Sequence, residues 1–481
     1  MQLSVNSKSD PKIAVILLNK NYSFIDLPDK INELIKPALK KKFKNSFCQI
    51  VQITNYEDSP ELLYLVGLGK HKLTPEKLRF IGSKIGNLIK DSSINLYTNN
   101  LTTETEIVHL LEGINHGTYK FNKYLSKKRT KKDFTINIVD KSKIQSTIQQ
   151  KIDEFKFLYE AQNYVKDLVN SPAIDVTPTV LSNEAKSISS KSKYISYKEI
   201  DEKDFTKLGL NLIKAVGSGS GQNSKLIFLE YKFKPKNINP LLMVGKGVTF
   251  DAGGLNLKPS NNIETMKTDM AGAATVLGLF KILSSSSIPL HIVGVIPSVE
   301  NLVGENAYKP GDIFTAHNGK TIEITNTDAE GRLILADAIS YSLKKYSPES
   351  IIDLATLTGA CIVALGFNRS GLFSNNKSLQ SKLLHASKQS GDKVWPMPLD
   401  QFHRSKVAGS ISDYKNWTSG VNAGAIMAAA FLEKFVNKTP WAHLDIAGPS
   451  YTDRDVPEVP KGASGVGVRT LLYYLYGWPG L

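Results

Sequence analysis

Between Asn326 and Leu333 the chain reads NTDAEGRL, which sets Asp328, Glu330 and Arg332 at alternate positions between a β-like run and a helix-like run. Acids just before a helix can serve as caps, or as favourable charges against the positive end of its dipole. They can also hold a hard metal ion, and the choice between these roles depends on what else the chain could bring to the same place. Two further stretches offer polar residues in equivalent settings. In VGKGVTFDAGGLNLKPS, Lys246 lies within a strand-like run, Asp251 ends it, and Lys258 follows in a Gly-rich loop. In NIETMKTDMAG, Asp269 immediately precedes an apolar helical run. Taken singly, Asp251 and Asp269 read equally as caps, and Lys246 as a strand-end lysine reaching solvent.

Together these residues make four carboxylates, each at a strand end or a helix start. A close pair of like charges repels by about 4 kcal/mol at an effective dielectric near 20, so four of them converging calls for divalent cations. Oxygen ligands suit Mg²⁺, Mn²⁺ or Zn²⁺, and a carboxylate bridging two ions holds them roughly 3.5 to 4 Å apart, the spacing of two-metal hydrolases. Arg332 and Lys258 would then supply positive charge where an oxyanion develops.

The elements that must position these groups show two patterns. The first part alternates β-like runs, KIAVILLN (Lys12 to Asn19) and LLYLVGLG (Leu62 to Gly69), with the helical TPEKLRFIGSKIGNLIK (Thr74 to Lys90), which predicts a small α/β domain. A charged helical segment, Lys151 to Pro172, leads to the turn SPAIDVTP, so the boundary is placed within that helix, giving domains 1–160 and 161–481. In the second domain, LLMVGKGVTF, LHIVGVIP, SIIDLATL and WAHLDIAG are short apolar runs of the kind buried on both faces of a sheet. Helical runs Ala271 to Leu283 and Gly331 to Tyr346 lie between them. The expectation is α/β throughout: a smaller N-terminal domain, then a larger α/β/α domain with a largely parallel central sheet that binds its ligand at the C-terminal strand ends.

Bulk properties narrow the function. With 481 residues, 41% hydrophobic and 22% charged, the composition is that of a globular protein of two or more domains. No apolar run is long enough to span a bilayer, and the N-terminus lacks the features of a signal peptide, so a cytoplasmic protein without membrane association is expected. Two distant cysteines, Cys48 and Cys361, offer no disulfide framework. The net charge of +15 invites a nucleic-acid reading, but the clusters KPALKKKFK (Lys36 to Lys44) and KKRTKK (Lys127 to Lys132) hold one aromatic between them, Phe43, and not the interleaved series of a single-strand stacking surface, and a solvated lysine-rich surface is favoured. GSGSGQNSK lacks the ending of a phosphate loop, the eight histidines contain no His-Glu-x-x-His, and there is no G-x-S-x-G elbow. His443 is read as a core or strand-end histidine.

VGKGVTFDAGG, MKTDMAGAA and above all NTDAEGRL resemble the leucyl aminopeptidase family, the dinuclear metal M17 peptidases. DLVNSPAIDVTP, DLATLTGA, VWPMPL, WAHLDIAGP and GASGVGVRTLL extend the resemblance across the C-terminal domain. The resemblance implies that Asp251 and Glu330 bridge two divalent ions, Mn²⁺ or Zn²⁺, with Asp328 completing one site and Lys246 with Asp269 the other. It makes Lys246 a neutral amine ligand, its pKa lowered by the adjacent cations. It assigns Lys258 to the tetrahedral intermediate and Arg332 to a bicarbonate ion acting as general base. Met266, Thr356, Leu357 and Gly359 fall at positions of the first-residue pocket. Also implied are a macro-like N-terminal domain, peptide substrates with N-terminal leucine or other apolar residues, a role in peptide turnover, and a homohexamer with enclosed active sites. One departure is Ile174, where a polar Asn is expected, which bears on the local turn. A DNA-binding role for the basic N-terminal domain and a dinuclear phosphoesterase remain the rival readings.

Overall fold

The computed structural model describes all residues but 8–10, 20–26, 56–59, 90–91, 127–133, 141–144, 236–238, 454–460 and 478–481. The basic cluster Lys127 to Lys132 lies outside the described residues. Two compact units form, one from Met1–Tyr159, the other from Glu160–Asp453 with the segment from Gly462. The division falls inside the helix Gln145–Asn170.

In the first unit the strands are β1 (Gln2–Val5), β2 (Ile13–Leu18), β3 (Ile50–Thr54), β4 (Leu62–Gly67), β5 (Ile94–Tyr97) and β6 (Thr135–Val139). They form one sheet in the order β1-β6-β5-β2-β4-β3, parallel except for β3 against β4. The unbroken apolar run of β2 follows from burial on both faces: Val15 and Leu17 pack into one cluster, Ala14, Ile16 and Leu18 into another. Lys36, Lys40, Lys41, Lys42 and Lys44 are exposed, as a solvated basic face requires.

In the second unit the strands are β7 (Ile195–Asp201), β8 (Lys225–Lys232), β9 (Leu241–Gly245), β10 (Gly247–Asp251), β11 (His291–Asn301), β12 (Ile313–Thr315), β13 (Thr321–Glu323), β14 (Ser350–Ala355), β15 (Ser370–Ser374), β16 (Val394–Pro396), β17 (Tyr414–Lys415) and β18 (Trp441–Asp445). The main sheet runs β16-β15-β18-β14-β9-β11-β8-β7, with β10 also pairing β11. Its centre, β18-β14-β9-β11, is parallel, while β8 and β7 add antiparallel strands at one edge. The run LLMVGKGVTF does not make one strand. It divides at Lys246 into β9, between β14 and β11, and β10, which pairs beyond it on β11. The division frees Lys246 to turn its side chain toward the acids rather than along the sheet.

The helices Ala271–Leu283 and Gly331–Tyr346 span the residues expected of them. The first is buried on nearly every side, which its Ala/Gly-rich sequence permits. The turn at Ile174 closes normally, with Asp175 N donating to Pro172 O at 3.0 Å, and Ile174 itself is exposed.

Candidate metal centre and active site

Asp251 ends β10, Asp269 follows the 3₁₀ turn Met266–Thr268, and Asp328 and Glu330 lie between β13 and the helix Gly331–Tyr346. None of the three helix-proximal acids is spent as a cap of the helix it precedes. Neither Ala271–Leu283 nor Gly331–Tyr346 has a side-chain cap hydrogen bond, although Glu330 occupies the N-cap position of the second. The carboxylates point instead at one another and at two lysines. Asp251, Asp328 and Glu330 each bring an oxygen within 4.8 Å of the others. Lys258 Nζ lies 2.7 Å from Asp251 Oδ2 and 2.5 Å from Asp328 Oδ1. Lys246 Nζ lies 2.8 Å from both Asp269 Oδ2 and Glu330 Oε1, and donates to Thr356 O at 3.0 Å. The site therefore has two lobes, one around Lys258 and one around Lys246, with Asp251 and Glu330 near both.

Glycines make room for these contacts at two points. A Cβ on Gly331 would stand 2.7 Å from Lys246 Nζ, so a larger residue there would push the lysine off its present course past the start of the helix. Gly253 holds φ +89°, and a Cβ there would lie 2.9 Å from Asp328 Oδ1.

The electrostatics show the strain of this arrangement. Burial, then Glu330 and Asp269, raise the Asp251 pKa well above the usual carboxylate range. Burial pushes Asp269 up to about 6 against the pull of Lys246, and burial with Glu330 raises Asp328. Burial works against the charge of Glu330 too, but Lys246 and Lys258 hold its pKa below normal. For Lys246 burial favours the neutral amine, yet Asp269, Glu330 and Asp251 outweigh it and raise the pKa. The lowered lysine pKa that metal ligation needs is thus not a property of the polypeptide by itself and requires cations beside it. The donor set fits such cations: oxygen-rich, buried, and with two ammonium groups already standing in for positive charge.

Arg332 lies in the first turn of the helix and is buried, which draws its pKa down to about 10. Its Nη1 donates to Asn416 O at 2.9 Å, and its Nε has no hydrogen-bond partner among the described residues. Met266, Thr356 and Leu357 are half-buried and Gly359 is exposed, with no atom within 4 Å of where a Cβ would stand. Thr356 Oγ1 donates to Asp269 Oδ1 at 2.6 Å, tying it to the acid cluster, and Leu357 N donates to Asp445 Oδ1 at 3.2 Å. His443 is fully buried, its Nδ1 2.6 Å from Asp353 Oδ1, and Cys361 is buried in the core. Neither belongs to the cluster.

Sequence reasoning missed the residues that hold the acid loops. Asn301, at the end of β11, donates from Nδ2 to Asp251 Oδ1 at 2.8 Å and to Thr327 O at 3.1 Å. The Tyr308 hydroxyl donates to Thr327 O at 2.6 Å, and Thr327 Oγ1 donates to Gly253 O at 2.7 Å. These bonds lace the loop after β10 to the loop carrying Asp328, and no local motif announces them.

In this α/β unit the lysine and acid where β9 and β10 end meet the acids carried by the loops before the helices Ala271–Leu283 and Gly331–Tyr346, an arrangement of the kind that holds metal in hydrolases. The family model described as the cytosol aminopeptidase family catalytic domain matches residues 163–472, and that of the family's N-terminal domain matches 18–128. The chain belongs to the cytosol aminopeptidase family and is a metal-dependent aminopeptidase, an exopeptidase of the hydrolase class. A probable cytosol aminopeptidase of Clostridium tetani is 37% identical over 479 residues, 98% of each chain. One from Chlamydia trachomatis is 41% identical over 380 residues, 78% of this chain and 75% of the relative. Among solved structures, the bottromycin maturation enzyme BotP in complex with Mn is similar, with a TM-score of 0.85 and 28% identity over 97% of this chain and 99% of that one. Among the described residues no helix is long and apolar enough to cross a membrane.

Proposed function

We propose that this aminopeptidase is cytoplasmic and removes N-terminal leucine and other apolar residues from peptides during intracellular turnover, using two divalent ions, Mn²⁺ or Zn²⁺. The observation that carries the reading is the approach of Asp251, Asp328 and Glu330 within 4.8 Å, beside the Lys246–Asp269 pair and next to Arg332. Asp251 and Glu330 would bridge the ions, Asp328 would complete one site, and Lys246 with Asp269 the other. Bound there, the ions supply Lewis acidity and an activated water. Lys258, held by Asp251 and Asp328, places an ammonium where the carbonyl oxygen gains charge. Arg332 cannot itself take a proton at neutral pH, so its role is to hold an anion, bicarbonate, that does; the free Nε suits this. Met266, Thr356, Leu357 and Gly359 would receive the first side chain. By the family resemblance, the assembly is a homohexamer.

The test is the free amine. An exopeptidase that binds the substrate's α-amine loses its orientation when that amine is acetylated. Leucine amides and leucyl peptides are expected to be cut, and their N-acetylated forms to be neither cut nor strong competitors. Cleavage of acetylated peptides at similar rates, or first at internal bonds, would remove the reading.

A further inference from the structure

The Arg332 guanidinium is hydrogen-bonded to a residue far away in sequence. Asn416, 84 residues on, accepts from Arg332 Nη1 through its main-chain oxygen at 2.9 Å. It is 1% exposed and follows β17, which pairs in parallel with β13. Its own N–H donates to Glu323 O at 3.1 Å, and the Glu323 carboxylate accepts from Ser410 N at 3.0 Å and Ile411 N at 3.1 Å, so the segment leading to Asn416 is anchored at both ends. The side chain is more heavily used still. Oδ1 accepts from Thr325 N at 2.9 Å, Thr325 Oγ1 at 3.2 Å and Asn326 N at 3.4 Å, while Nδ2 donates to Asn326 O at 2.6 Å and Ala329 O at 3.4 Å.

One buried amide thus grips the irregular loop carrying Asp328 and Glu330, and the same residue's carbonyl grips the guanidinium that follows them. Asn suits this because it presents an acceptor and two donors on a short, stiff side chain. We propose that Asn416 is a positioning residue for the reaction, acting through Arg332: its side chain fixes its own carbonyl relative to the acid loop, and that carbonyl sets where the guanidinium presents the anion. This rests on the role given to Arg332 above.

A double-mutant cycle tests it, with kcat and KM on a leucine amide, metal content, and crystal structures of the variants. A misplacement of about 1 Å at a reacting group costs on the order of 10²-fold, so Asn416→Ala is expected to lower kcat by about that factor, with KM little changed and both metals retained. In the Arg332→Ala background the same change should cost less than about twofold, because the group it positions is gone. Asn416→Asp keeps the acceptor for Thr325 N but sets a carboxylate oxygen against Asn326 O and Ala329 O, so it should lower kcat at least as far as Asn416→Ala with the same coupling. Losses that multiply independently, loss of metal from Asn416→Ala, or kcat within about twofold of wild type would each overturn the proposal. If the wild type fails to cut leucine amides, the functional reading falls on its own. The crystal structures then decide the positioning role: a guanidinium displaced in Asn416→Ala supports it, and one that stays in place overturns it.

Discussion

Each unit of this chain buries an ionic cluster, and the two are balanced differently. In the first unit, between the helices Pro75–Ile89 and Glu104–Thr118, Arg79 Nε donates to Glu112 Oε2 while Arg79 Nη2 lies 3.0 Å from His109 Nδ1. Among the contacts of these described residues a guanidinium is paired directly with a carboxylate, beside His109, whose Nδ1 lies 3.3 Å from Glu112 Oε2. In the second unit four carboxylates, Asp251, Asp269, Asp328 and Glu330, contact two ammonium groups, Lys246 and Lys258, a formal excess of negative charge that the buried Arg332 guanidinium near Glu330 and Asp328 offsets only in part. Three of those acids have raised pKa values, for which burial is the first cause. Buried charge alone does not mark a ligand site. Several buried carboxylates brought together in excess of their cations do point to one, because protons or bound cations must offset their repulsion.

The comparison can be broken most sharply at the excess acids. Asp251→Ala or Glu330→Ala should lose turnover by more than the about 10–100-fold that outer-shell substitutions cost at metal sites. Metal analysis should show fewer than two ions, and two tightly held ions with near-normal turnover would show that neither acid bridges. Arg332→Ala should lower kcat by about 10² to 10⁴ fold, the usual range for a lost general base, with metal content intact and bicarbonate stimulation weakened. Coincident loss of metal would make the arginine a structural part of the cluster.

Gly331→Ala puts a methyl 2.7 Å from Lys246 Nζ, and metal affinity measured by chelator competition should fall by about 10–100-fold. Unchanged affinity would mean that Lys246 is not held where the metal needs it. The paired cluster should behave in the opposite way. Glu112→Leu removes the buried carboxylate that Arg79 Nε contacts and should cost about 3–5 kcal/mol of stability, Arg79→Met with Glu112→Leu should recover part of it, and kcat should not change in either. A change in kcat would connect the first unit's cluster to the chemistry.

Much of this was legible in the sequence because the informative residues are close together along the chain. Asp328, Glu330 and Arg332 fall within one stretch, and the helices Ala271–Leu283 and Gly331–Tyr346 carry unbroken patterns that place Asp269 and Glu330 at their starts. Apolar runs reveal that a strand is buried on both faces, but not its direction, so the antiparallel pairing of β7, β8 and β11 was not foreseeable. Nor was the division at Lys246, since the run on either side of it is equally apolar. Asn301 and Asn416 escaped for a different reason. Each acts across a long interval, 50 residues from Asn301 to Asp251 and 84 from Asn416 to Arg332, and asparagine in a loop has many local uses.

The central claim is that the excess acids exist to hold two divalent ions that the hydrolysis requires. It is tested most directly by stripping the protein with a chelator and titrating Mn²⁺ or Zn²⁺ back while following release of free leucine from a leucyl peptide. The account predicts no release from the stripped protein and recovery that is complete only as the second ion per chain binds. Full activity without metal, or activity that saturates with a single ion while the second site stays empty, would contradict it.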